Sequence, residues 1–257
     1  TYPEVAKILP TDYEAILPPL ERMKALFEVK KFIEEGLSEA LNLQMVQVPL
    51  ICTRESGVND MLDRDGSRTP VEFPCGLGIE PRLNAQVVQA ATKWKRPALA
   101  QFGCEPGQGI CTDMRAVRKD YFLDHDHSSY VDQWDWECVM KEEDRNLEFL
   151  TDIVQKIWKV LRGAYMHVQE MYPQLEQDDI PAPPEELVFI HAEDLLAKYP
   201  DLPRKQRETA ILKEMGAVFI YGIGWTLDDG YPHEMRAADY DDWITETTSK
   251  DGRPMHG

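Results

Sequence analysis

Positive charge is scarce in this chain. Lys and Arg number 28 against 46 Asp and Glu, a formal net charge of −18 at pH 7. Nucleic acid would be repelled over most of such a surface, which argues against backbone-phosphate binding as the main activity and leaves room only for a local basic pocket. Long apolar runs are also missing, so no segment reads as membrane-spanning. The five cysteines, Cys52, Cys75, Cys104, Cys111 and Cys138, form no C-x-x-C pair, and no secretory signal is recognisable; reduced thiols in a cytoplasmic protein are expected. Glycine-rich phosphate loops are absent, because Gly76-x-Gly78, Gly107-x-Gly109 and Gly222-x-Gly224 lack the further glycine or the Gly-Lys-Ser/Thr ending and read as turns. There is no Gly-x-Ser-x-Gly elbow, which disfavours a covalent serine nucleophile. Asp124-His-Asp-His127 looks like a metal cluster, but neighbours on an extended chain point to opposite sides, and a solvated turn accounts for it better.

What is present suits a sizeable core: 257 residues, 43% of them apolar, with no repeat or low-complexity tract. The stretch from Gly109 to Glu137 organises the rest. Two runs rich in β-formers flank a polar turn, predicting an antiparallel pair. Gln133 and Asp135 are two residues apart and share a face, with Arg118 near it on the first arm. A cation, an amide and a carboxylate converging there call for a partner, and an amino acid with a phosphate would supply one.

Around this pair, spacing predicts a helix over Leu20–Leu41 behind Pro18 and Pro19, and a strand over Leu43–Ile51 that Pro49 confines to an edge or a subunit interface. A loop with a short hairpin should fill Cys52–Pro81, and Val87 and Val88 mark the next strand. Lys93, Lys95 and Arg96 crowd three cations into four positions, a solvated surface or an anion site. The strongest helical stripe lies in Glu142–Met171. After a proline-rich connector come a strand at Leu187–Ile190, a short helix at Glu193–Lys198, a helix from Pro203 to Met215 stopped by Gly216, and a central strand at Ala217–Gly224. Trp225–Trp243 reads as an acidic loop, and the polar Lys250–Gly257 provides no closing element, so more chain is expected beyond it.

Five stretches carry a resemblance. Lys93-Trp-Lys-Arg96, Tyr130-Val-Asp-Gln-Trp-Asp-Trp-Glu137, Tyr199-Pro-Asp-Leu202, Gly216-Ala-Val-Phe219 with Gly222-Ile-Gly224, and Arg236-Ala-x-Asp-Tyr-Asp-Asp-Trp243 resemble, in matching order, the aspartate-ammonia ligase family of ammonia-dependent asparagine synthetases. The resemblance implies an α+β fold of the class II aminoacyl-tRNA synthetase kind, an antiparallel sheet flanked by helices, in a single catalytic domain over residues 1–257, with residues 1–19 an extension. It also implies a homodimer that binds no nucleic acid, with the first helix and the Pro49 strand as its dimer-forming motif. The implied reaction uses L-aspartate, ammonia and ATP with Mg²⁺: the side-chain carboxylate is adenylated, pyrophosphate leaves, and ammonia displaces AMP.

By the same resemblance Asp60, Gln133 and Asp135 hold the substrate ammonium and Lys95 a carboxylate. Arg118 stabilises the attacked phosphorus; Asp120, His127, Val131 and Asp241 serve the nucleotide; and Asp60 doubles as acceptor of the ammonium proton. Two departures stand out. Ala90 occupies the place of a family serine upstream of Lys-Trp-Lys, and the family's third motif and acidic Mg²⁺ ligands would lie beyond Trp243. A tRNA synthetase-like adenylate enzyme and a non-catalytic binding paralogue are the alternatives.

Overall fold

The structure is a computed structural model describing residues 14–62, 66–124, 127–176, 182–224, 226–234, 246–248 and 254–256. Helix α1 (Pro19–Ala40) starts on its prolines as predicted and is followed by Asn42, whose positive φ of 53° turns the chain away from the helix. Then follow β1 (Leu43–Met45), β2 (Ile51–Thr53), β3 (Glu72–Cys75), β4 (Leu83–Val87), α2 (Thr92–Gln101), β5 (Gly109–Val117), β6 (Tyr130–Cys138), α3 (Leu147–Met171), β7 (Val188–His191), α4 (Ala192–Lys198), α5 (Arg204–Met215), β8 (Val218–Tyr221), β9 (Glu246–Thr248) and β10 (Pro254–His256). They group into two compact units, one built on Leu41–Val139 and the other on Met23–Ala40 with the chain after Met140.

In the first unit β5 is central, parallel to β1 and antiparallel to β6 over nine residue pairs from Gly109–Cys138 to Val117–Tyr130. Its core character follows from burial: Ile110, Cys111, Thr112, Met114 and Ala116 are all at most 1% exposed. Only glycine fits at 109, where a Cβ would collide with the Glu137 carbonyl and the Leu43 side chain. Met114 and Ala116 pack against Val88 and Ala91, and Ile110 against Ala98 and Leu99 of α2. A second sheet, ordered β2-β4-β3, is antiparallel throughout.

The predicted strand over Leu43–Ile51 is thus two strands in two sheets. The chain leaves β5 after Met45, and Ile51 pairs with Val87 of β4. Pro49 sits in the crossover, where a missing N–H removes no ladder bond. None of the five cysteines forms a disulfide, and among the described residues no helix is long and apolar enough to cross a membrane.

In the second unit α3 begins at Leu147, five residues later than the spacing predicts, behind Asn146, whose side chain accepts from Phe149 N; Glu142–Asp144 is a separate 3₁₀ turn. Its side chains reach the segment before β7: Gln155 Nε2 donates to Leu187 O at 3.0 Å, and Trp158 Nε1 to Pro184 O at 3.0 Å. β7 and β8 are parallel, and among the described residues β8 pairs with β7 alone, its four residues half-buried rather than central. Gly216, at φ 75°, closes α5 as predicted.

His233 is 5% exposed and faces Glu208 Oε1 at 3.1 Å. Burial pushes its pKa down, Glu208 pulls it up, Arg204 and Arg207 push it down, and the result is lowered. The unfolded chain therefore binds this proton more readily than the folded one. The contribution is complete above the unfolded value of about 6.5 and is lost as pH falls from there through the folded value. Thermal melts should show Tm dropping on acidification through this range, with His233→Gln flattening that part of the profile; an unchanged slope would refute the assignment.

Candidate active site

A single carboxylate sets the site's local geometry. Asp60, 1% exposed, accepts Thr92 N on Oδ2 at 3.0 Å and Lys93 N on Oδ1 at 2.9 Å, the first amides of α2. An anion at a helix N-terminus satisfies two orphan donors and meets the positive end of the helix dipole, worth up to about 2 kcal/mol. Asp60 thereby fixes the helix that carries Lys95. The cation-rich stretch forms α2's first turns, solvated at one cation and buried at another. Arg96 points to solvent, but Lys95 is only 1% exposed.

Lys95 Nζ donates to Asp135 Oδ1 at 2.5 Å and to Trp136 O at 3.3 Å, and lies 3.8 Å from Glu137 Oε1. Cross-strand pairing explains the convergence. Gln133, Asp135 and Glu137 stand opposite Met114, Thr112 and Ile110, so all six share one face of the β5–β6 pair, the face packed by the chain around α2. Arg118 extends that face: its N donates to Ser129 O at 2.8 Å, carrying the ladder one step past Val117. Asp135 Oδ2 is buried and has no hydrogen-bond partner among the described residues. An unpaired buried carboxylate oxygen is costly unless a ligand cation meets it.

Gln89, 3% exposed, was not recognised from sequence, yet it links the pieces. Its carbonyl accepts Arg118 Nε at 3.3 Å, its Nε2 donates to Asp60 O at 3.4 Å, and its N donates to Asn59 Oδ1 at 2.9 Å. Asn59 in turn donates to Val87 O at 3.1 Å, stapling the loop to β4. Tyr121 was missed as well: the Arg68 guanidinium lies 4.0 Å from its ring centroid and that of Arg118 5.6 Å, a cation–π arrangement. Neither residue carries a periodic or motif signal.

Asp60 lines a cavity of about 720 Å³ together with Arg54, Arg68, Lys93 and Lys119, while Gln133 and Asp135 line one of about 380 Å³. Glu72 lines the larger cavity too, 3.6 Å from Arg54 Nη1, so four cations face two carboxylates and the cavity carries a positive excess in an otherwise acidic chain. Asp120 borders it, accepting Thr69 N and Thr69 Oγ1 on Oδ2, both at 2.9 Å; these bonds, the backbone one first, and Lys119 hold its carboxyl below the usual range. His127 Nδ1 meets Asp124 Oδ1 at 2.7 Å and its ring packs on Phe122 at 4.5 Å, the turn arrangement expected; His125 and Asp126 lie outside the described residues. Val131 pairs with Ala116 in the ladder. Asp241 lies outside the described residues. Asp60, Lys95, Asp135 and Arg118 are thus joined through α2 and Gln89; Gln133 shares the face but is exposed, and Asp120 and His127 belong to the turn beyond β5.

The α+β fold around this antiparallel pair is of the class II aminoacyl-tRNA synthetase kind. The asparaginyl-tRNA synthetase of Pyrococcus horikoshii, solved with asparaginyl-adenylate, superposes with a TM-score of 0.60 at 14% identity, over 92% of this chain and 50% of that one. Within this class the chain belongs to the aspartate-ammonia ligase family, a family of enzymes, whose model matches residues 20–248. It is 43% identical over 235 residues to the aspartate-ammonia ligase of Clostridium perfringens, covering 91% of this chain and 68% of the relative. To that of Bacteroides thetaiotaomicron it is 46% identical over 240 residues, covering 93% and 67%. The chain therefore spans about two thirds of these relatives and half of the synthetase.

Proposed function

We propose that this chain forms the aspartate and nucleotide site of a cytoplasmic, homodimeric ligase that makes asparagine from L-aspartate, ammonia and Mg·ATP, with residues 1–257 part of one catalytic domain. The observation that carries this reading is the linked set Arg118–Gln89–Asp60–α2–Lys95–Asp135. It sets both signs of charge side by side, as a zwitterion next to a nucleotide requires. Asp60, Gln133 and Asp135 receive the substrate ammonium, above all at the open Oδ2 of Asp135. Lys95 has three N–H groups, two with acceptors within 3.3 Å, and offers the third to a carboxylate.

In the first step a side-chain carboxylate oxygen of aspartate attacks the α-phosphorus, and the bond to the β-phosphate oxygen breaks to release pyrophosphate. Negative charge builds on the α-phosphoryl oxygens, where Arg118 stabilises it. Magnesium would come as the counter-ion of ATP and would supply screening of its phosphate charge; among the described residues no group of three or more His, Cys, Asp or Glu could hold a metal. Asp120, His127, Val131 and Asp241 are assigned to nucleotide binding by the family resemblance, Asp241 lying outside the described residues. In the second step ammonia attacks the acyl carbon, the carbon–oxygen bond to AMP breaks, and nitrogen passes its proton to the Asp60 carboxylate. Asp60 is placed to bind the incoming ammonium.

With the full-length protein, ¹⁵N-ammonium should appear in the amide of asparagine, with AMP and pyrophosphate formed in step and no tRNA added. Formation of ADP and phosphate, a requirement for tRNA, or the absence of label would overturn the reading.

A further inference from the structure

Beside the described site stands a half-buried acid without a role. Glu137 lies on the same strand face as Asp135 and Gln133, opposite Ile110, with its side chain 24% exposed and Oε1 3.8 Å from Lys95 Nζ. Lys95 thus stands between two carboxylates: one bonded at 2.5 Å with its second oxygen buried and open, the other just beyond bonding distance. We infer that Glu137 is a positioning residue for the amino-acid substrate, sharing Lys95 with Asp135 so that Asp135 keeps enough negative charge to take the substrate ammonium. This rests on the ligand assignment proposed above and deepens it.

The charges facing Glu137 are Lys95 and Arg96 from α2, Asp135 from its own strand, and Asp60 from the loop. Burial raises its pKa most; Lys95 and Arg96 pull it down, Asp135 and Asp60 push it up, and the outcome is a raised value. Glu137 therefore takes up a proton at a higher pH than a solvated glutamate. Once it is neutral, Lys95 has one counter-charge instead of two, and Asp135 is fully committed to it. The ammonium of the ligand then meets a pocket poorer by one negative charge. Affinity for aspartate consequently falls on the acid side, while the adenylation chemistry at Arg118 is untouched.

Titration calorimetry with L-aspartate, between about pH 5 and 8, tests this without turnover, with steady-state rates on the full-length protein beside it. Wild type should bind more weakly as pH falls. Glu137→Gln should bind about tenfold more weakly at neutral pH, the effect of losing one unit-sized charge interaction, and lose the acid-side dependence, with KM raised and kcat kept. Glu137→Asp, which retains the charge, should restore the pH dependence and guards against a folding artefact. A wild type that binds aspartate equally at all pH values, or a Gln variant matching it in Kd and profile, overturns the role of Glu137 and leaves the ligase reading standing. A wild type that binds no aspartate overturns both.

Discussion

Asp135→Ala should destabilise the fold by about 3 kcal/mol and abolish aspartate binding. The magnitude follows from Lys95, 1% exposed, whose closest counter-charge is Asp135 Oδ1 at 2.5 Å. Removing one partner of a buried pair leaves an ammonium in a poor dielectric and typically costs about 3–5 kcal/mol. The lower end applies because Trp136 O and Glu137 remain near Nζ. A second variant separates packing from function. Lys95→Met together with Asp135→Leu replaces the pair by apolar groups of similar volume and should recover most of the lost stability, since a buried ion pair is often no more stabilising than its hydrophobic replacement. The double variant should still bind no aspartate by calorimetry. Recovery of binding along with stability would mean the pair is a structural element only, and the zwitterion pocket lies elsewhere.

The β5–β6 pair and its polar face were legible because alternation is a local property: residues 133, 135 and 137 must point one way whatever packs against them. The burial of Lys95 was not legible from composition. Its helix has no side-chain cap at Ala91 and contains Pro97, two signals against a helix. The missing cap comes instead from Asp60, thirty-two residues upstream of Thr92, so the start of α2 is written in a loop and becomes readable only in three dimensions. The same distance hides Gln89 and Asn59, buried amides that join Arg118 to that loop without any period. At Leu43–Ile51 the apolar alternation is real, but it spans a change of partner from β5 to β4, which spacing within one strand cannot register. Ala90 is 3% exposed and beside the packed Val88 and Ala91, a setting that suits a small apolar side chain.

Arg118→Lys should leave the fold and aspartate binding nearly unchanged and lower kcat about 10²–10³-fold, the usual loss when one preorganised donor at a developing charge is removed. Its Nε is spent on the Gln89 carbonyl, at 3.3 Å, and that bond aims the guanidinium, leaving four further N–H donors on the two Nη groups. Lysine keeps the charge but is a single point of donors that cannot hold the Gln89 carbonyl and present a planar fork at once. The contrast with Asp135→Ala is the informative part. If the two sites act on successive parts of one reaction, pyrophosphate release must fail in both variants, whereas calorimetry with L-aspartate must fail only in Asp135→Ala. Loss of aspartate binding in Arg118→Lys would instead place the guanidinium on the amino acid, and the phosphorus would need another cation, such as Arg68, which shares the Tyr121 ring with Arg118.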